Sequence, residues 1–244
     1  LHLLQKRSEN NEKSKASRQW MLDDSRNNME RGNEVMKTND VTPQMTEEAV
    51  SIPGLDLRII RISLVGDSPL ITNKWDEKAK KQMLDKQMKK ATQGKEAKDP
   101  KKNFFASLYW LDGMPKTPTL KKLKAAEFGF PTVGFKASAV NACSHVDGLT
   151  KVIARGAFHI NGDLVKINGT PTMREDMVRV GMGTADIRYR GEFKEWSTEF
   201  NVRYNHSVIS PSQIVNLFNV AGFSTGVGEW RPQKNGSMGM FHVE

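Results

Sequence analysis

Cysteine is almost absent: Cys143 is the single one among 244 residues, so the chain forms no internal disulfide and no cysteine-rich zinc site. Its apolar neighbours predict a buried thiol in a reducing compartment, and the protein is expected in the cytoplasm. No uninterrupted apolar run approaches the ~18 residues of a membrane span, so no membrane partner is expected. The opening "LHLL" runs into mixed charge and does not read as a signal peptide. Acids are the scarcer charge, 28 against 37 Lys plus Arg, leaving a formal +9 and a pI near 9.6. That excess suits a polyanionic partner or a basic surface kept for solubility. Catalytic patterns are missing as well. No two of His145, His159, His206 and His242 stand at a recognisable spacing, Asp163, Asp176 and Asp186 are dispersed, and no H-x-x-x-H pair occurs. No catalytic residue, metal site or cofactor is therefore assigned.

What is present begins with a polar stretch. Residues 1–35 carry seven bases and six acids and no lasting periodicity, too little apolar surface to offset the entropy of ordering. We expect a disordered or non-native extension over residues 1–50, with Met36 as the true start and a single folded domain over 51–244. In "LDLRIIRISLVGDSPLITN", Ile60, Ile62 and Leu64 alternate with Arg61 and Ser63 as a half-buried strand requires. "WDEKAKKQMLDKQMKKA" spaces Ala79, Met83, Leu84, Met88 and Ala91 as an amphipathic helix. Between Lys74 and Lys102 stand eleven lysines against five acids, a solvated basic face or part of a polyanion site.

Further on, "FFASLYWLDGMP" is ambiguous between helix and strand. Lys136 to His145 reads as a short helix with Ala139, Val140 and Cys143 inward and Lys136 in its first turn, after a Pro/Gly turn whose helix end would suit an anion. "TKVIARGAFHI", "DLVKI", "DMVRV" and "WSTEFNVRYN" read as strands. Between the last two, "GMGTADIRYRG" (181–191) predicts a protruding hairpin or loop carrying Arg188, Tyr189 and Arg190. "SPSQIVNLFNVAGF" holds a capping box from Ser210 to Gln213 with Pro211 at the first helical position. "SMGMFHV" closes as a strand. The order predicts an α+β fold of ferredoxin-like type, an antiparallel sheet with helices on one face.

"GVGEWRPQKNGSMGMF" (226–241) sets Gly226, Gly228, Gly236 and Gly239 around Trp230, Arg231 and Lys234. Such glycines let a main chain approach a phosphate with free N–H groups, while the cations add charge and the indole a stacking face. Turn-making before a strand is the plain alternative. Trp75, Trp110 and Trp196, each beside apolar residues, are expected in the core.

"FGFPTVGFKASAVNA" resembles the loop and helix of the RAMP superfamily, the backbone subunits of CRISPR effector complexes, and "GVGEWRPQKNGSMGMF" is similar to that superfamily's glycine-rich loop near the carboxyl end. The resemblance covers about 55–244, with Thr132-Val133 in place of two serines and Ala137 in place of a glycine. The "GFP..GFK" and "GEWRP" elements also resemble uncharacterised bacteriophage proteins. The resemblance implies that Gly134 and Lys136 and the loop from Gly226 to Gly239 flank a groove for a nucleic-acid backbone. It also implies that 181–191 is a protruding thumb, and that copies tile a single strand as filaments.

The expected function is non-catalytic, sequence-independent binding of single-stranded DNA or RNA. Lys136, Arg188, Arg190, Arg231 and Lys234 would hold phosphates, and Tyr189 or Trp230 would stack on bases. Two alternatives stay open: an endoribonuclease using one of the histidines as base, and a virion structural or assembly protein.

Overall fold

The strand expected at the start of the folded part is β1 (Leu57–Gly66) in a computed structural model, which describes residues 52, 54–75, 77–90, 97–181 and 183–244. The expected extension over 1–50, the start at Met36, residues 91–96 of the lysine-rich stretch and Met182 lie outside those residues. After β1 come β2 (Leu70–Thr72), α1 (Glu77–Gln87), α2 (Pro100–Ala106), β3 (Tyr109–Trp110), α3 (Leu120–Ala125), β4 (Phe128–Pro131) and α4 (Thr132–Ala142). They are followed by α5 (Lys151–Ala157), β5 (Phe158–Ile160), β6 (Leu164–Asn168), β7 (Pro171–Val180), β8 (Thr184–Phe193), β9 (Ser197–Asn205), α6 (Pro211–Ser224) and β10 (Phe241–Val243).

The main sheet runs β10-β1-β9-β6-β4-β3, with β5 on the far part of β9, and its pairings are antiparallel. With β1, β6, β9 and β10 as first to fourth strands, α4 between the first two and α6 between the last two, the order is fourth-first-third-second. That is the βαββαβ arrangement of a ferredoxin-like fold, and the α+β expectation holds on strand order. β1 pairs with β9 along its whole central length, from Leu57↔Asn205 to Val65↔Ser197, whereas β10 covers it only at Leu64, Val65 and Gly66. Alternation decides which side is dry. Thr198, Phe200, Val202 and Tyr204 of β9 are buried under the helices, while Glu199, Asn201 and Arg203 face solvent.

The helices follow from their caps and stripes. In α6 the Ser210 hydroxyl accepts from the Gln213 amide and the Gln213 side chain accepts from the Ser210 amide, with Pro211 at the first turn. Ile214, Leu217, Phe218 and Ala221 are its buried stripe, and the Phe218 ring meets Phe200 and Phe158 at 5.8 and 6.1 Å. The α4 helix starts at Thr132, four residues before the expected boundary, which moves Lys136 into the second turn; Ala139, Val140 and Cys143 do face inward, and burial pushes the Cys143 thiol up. "TKVIARGAFHI" departs from its expected strand. The Thr150 hydroxyl caps α5 by accepting from the Ile153 amide, the inward residues are Ala154 and Ala157 at helical spacing, and only Phe158–Ile160 is extended. β-branched Val152 and Ile153, which suggested a strand, lie exposed on the outer face. "FFASLYWLDGMP" resolves into the end of α2, capped by Asp99, and the two residues of β3. α1 forms as a helix, but Met83, Leu84 and Met88 are 50–56% exposed, so its apolar stripe stays uncovered among the described residues.

The segment expected as a protruding hairpin or loop, 181–191, supplies the turn and most of the second strand of a longer hairpin, β7 and β8, paired from Pro171↔Phe193 to Val180↔Thr184 and inserted between β6 and β9, so that "DMVRV" is part of its first strand. With β2 it makes a separate three-stranded sheet. No helix among the described residues is long and apolar enough to cross a membrane.

Candidate nucleic-acid interface

The glycine loop connects α6 to β10, and most of its amides are already used. Gly226 N–H donates to Ala221 O, Val227 N–H to Gly239 O, Glu229 N–H to Ile71 O, Met238 N–H to Trp230 O and Gly239 N–H to Pro69 O, all between 2.8 and 3.0 Å. This corrects the expectation of a loop whose amides await a phosphate: among the described residues only those of Gly228, Trp230, Arg231 and Ser237 lack such a bond. The glycines serve close packing. Gly239 has φ +66° and a Cβ there would stand 1.8 Å from Val227 O; Gly228 has φ +78° and a Cβ there would stand 2.5 Å from Ile71 O. Gly236 lies equally tight against Trp230 O. The loop is thereby pinned to β2, and its outer edge becomes one wall of a cleft.

That cleft, about 220 Å³, lies between the loop and α4 and is lined by Tyr109, Gly134, Asn141, Gly226, Gly228 and Arg231, among others. The structure thus brings together Gly134 and the glycine loop as expected. It does not bring Lys136. On α4 the cleft side is Gly134, Ala137, Ser138 and Asn141, and Lys136 is about 200° round the helix from Gly134. Its ammonium donates to Arg155 O at 3.0 Å and meets His159 Nδ1 at 2.9 Å. Arg231 is half-buried in the cleft wall, donating to Gly228 O and Gln233 Oε1. Lys234 is exposed on the short turn Pro232–Lys234. Burial, then the nearby Glu229 charge, pushes the Tyr109 phenol up, so it stays a neutral hydrogen-bonding group in the cleft.

A second, larger pocket of about 470 Å³ opens beside the first, and Asn73 lines both. Its walls include Lys74, Trp75, Lys98, Asn103, Arg188 and Tyr189. Trp75 is 55% exposed, which corrects its expected place in the core; Trp110 and Trp196 are buried as expected. Trp75 follows three residues past the end of the short β2, Leu70–Thr72. Asp186 accepts from Lys98 and lies 3.6 Å from Arg188. The Lys98 hydrogen bond first, reinforced by the charges of Lys98 and Arg188, holds its carboxyl below the usual range.

Arg190 is the clearest correction. It is 3% exposed, donates to Asp176 at 3.1 Å and lies 3.8 Å from Glu229, so it cannot meet a phosphate. Asp176 also accepts from Arg174, which in turn donates to Glu192. Burial pushes the Asp176 carboxyl up, but the hydrogen bonds from Arg174 and Arg190 outweigh it and leave the group below its ordinary value, with the Trp230 indole adding to that effect. Trp230, 41% exposed at φ +55°, stands beside Asp176 and is not among the cleft-lining side chains. The network fastens the hairpin to the glycine loop.

Of the histidines, His242 bonds Asp67 at 2.6 Å and His206 packs against Tyr204, while none lines either cavity. Among the described residues no group of three or more His, Cys, Asp or Glu could hold a metal ion.

No protein-family model and no curated protein matches the chain. Among solved structures it is similar to the crystal structure of Cmr6 from Pyrococcus furiosus, at 9% identity and a TM-score of 0.39, over 78% of this chain and 100% of that one.

Proposed function

We propose that the chain binds single-stranded nucleic acid without sequence preference and without catalysis. The observation that carries this reading is the pair of adjoining cavities joined at Asn73, one walled by the glycine loop with Arg231, the other by Trp75 and Tyr189 with a basic rim. Stacking faces beside cations are what sequence-tolerant binding of an unpaired strand uses, and a folded duplex offers no base face to either aromatic ring. The acids in the cavities are committed elsewhere, Glu229 to Asn73 and Arg190, Asp186 to Lys98 and Arg188. That supports a binder over a nuclease. The buried lone thiol suits work in the cytoplasm. Tiling of copies along one strand, as the RAMP resemblance implies, extends the proposal, in a CRISPR-like or bacteriophage setting.

The test compares matched single-stranded DNA, single-stranded RNA and duplex by anisotropy over a range of salt, with the complexes imaged for filaments. Single strands should bind more tightly than duplex, and log affinity should fall linearly with log salt. Equal binding of duplex, or affinity indifferent to salt, overturns the reading; labelled RNA cleaved in the presence of chelator would favour a nuclease.

A further inference from the structure

We propose that Lys136, His159 and Arg203 form a phosphate-binding site on the side of α4 turned away from the glycine-loop cleft. The three come from separate elements. Lys136 reaches off α4, and His159 of β5 and Arg203 of β9 are direct cross-strand partners, so their side chains leave the same face of the sheet. The ammonium of Lys136 spends one proton on Arg155 O and one on His159 Nδ1. An ammonium has three, so one remains. An imidazole that accepts at Nδ1 carries its own proton at Nε2, which adds a second donor, and the Arg203 guanidinium supplies a planar fork suited to an oxyanion.

Among the described residues no acid pairs with these groups. Burial first, then the charges of Lys136 and Arg203, push the His159 imidazole down, and burial alone lowers Lys136. No ion pair among the described residues joins Lys136, His159 or Arg203 to a carboxylate, and the strand neighbour of Arg203 on its other side is the exposed Ile59. Three convergent donors without a counter-charge, at an exposed sheet face, match a phosphate group: two or three acceptor oxygens and negative charge. A neutral sugar or base edge offers no compensation for clustered cations. This site uses none of the side chains that line the two cavities, so it stands or falls apart from them.

The test is NMR of the full chain, with the His159 ring signals assigned by His159→Gln, during titration with inorganic phosphate against chloride at matched ionic strength. Phosphate should move the His159 signals saturably and raise the pH at which the ring protonates, while His242 stays still. Arg203→Gln should weaken the phosphate midpoint by about tenfold, in line with loss of a charged hydrogen bond, without lowering Tm. Lys136→Gln tests the same site but also frees α4 from β5, so Arg203→Gln is the deciding variant. Matched single-stranded oligonucleotides with and without a 5′-phosphate identify the source. A response to both means internal phosphodiesters, a response to the phosphorylated one alone means a chain end, and a response to inorganic phosphate alone means the free ion. The proposal is overturned if phosphate moves His159 no more than chloride does, or if Arg203→Gln leaves the midpoint unchanged.

Discussion

Replacing Asp186 by Asn should make this protein bind nucleic acid more tightly. The carboxylate stands between two cations at the rim of the larger pocket, accepting from Lys98 and lying 3.6 Å from Arg188. Because the Lys98 hydrogen bond and the two charges keep its pKa depressed, it is fully ionised at neutral pH and cancels one of the two cations. Asn keeps the shape and leaves both cations to a passing phosphate, raising the number of neutralised phosphates by about one. For single strands each such contact steepens the dependence of log affinity on log salt by about 0.7, so the variant's advantage over the parent should change by about two- to threefold across a fourfold change in salt. The structural cost should be small, since Asp186 and its partners are about one-third to one-half exposed and exposed pairs contribute ~0–1 kcal/mol. Anisotropy of a labelled oligo-dT and oligo-U over that salt range reads both slope and affinity. An unchanged slope, or weaker binding, would show that the strand does not pass this rim.

Three further outcomes are expected. Trp75→Ala should cost about 1–3 kcal/mol of single-strand affinity if a base stacks there, with Trp75→Phe retaining most of it and Tm unmoved in both, because the ring is largely exposed; equal affinity in all three proteins rejects the stacking role. Gly239→Ala forces a side chain to φ +66° and against Val227 O, a strain of ~1–3 kcal/mol plus about 1 kcal/mol for the Val227–Gly239 hydrogen bond. Denaturant unfolding should show at least about 2 kcal/mol lost, and a variant as stable as the parent would refute the packing account. For Asp176 the folded-state pKa lies below its ordinary 3.8, so its contribution is complete above that value and disappears as pH falls through the lower folded value. Asp176→Asn should flatten that acid decline in unfolding curves. At neutral pH it should destabilise by on the order of 3–5 kcal/mol, because Arg190 is left buried without its main partner; a variant that keeps the parent's acid profile contradicts the assignment.

How much of this could be read from residues alone varied with how local the signal was. The cap of α6 and the alternation of β1 are written in neighbouring residues and form where expected, whereas the glycines near 181 mark only the turn of a hairpin that begins at Pro171. The α5 segment misleads because Val152 and Ile153 favour strands while the inward pair, Ala154 and Ala157, is small and quiet. In the candidate site, proximity of Gly134 to the glycine loop was implied only by the family resemblance of the two motifs. The direction of Lys136 was not, since it depends on a four-residue difference in where α4 starts and on His159 arriving from β5. Arg188 and Arg190 look equivalent in sequence, yet Arg190 is buried against Asp176 of the neighbouring strand with Glu229 close by, while Arg188 stays exposed beside Asp186. Trp75 carried no local sign of its exposure.

The short reach of β10 along β1 has a bearing on how copies could meet. From Leu57 to Ile62 that flank of β1 has no ladder partner among the described residues, which would ordinarily invite an extra strand from a neighbour. Arg58 and Arg61 stand on it, both exposed and each paired with an acid, Asp56 and Glu199, and long charged side chains of this kind blunt an open strand edge. Sheet-to-sheet fusion of one molecule with another through this flank is thereby discouraged.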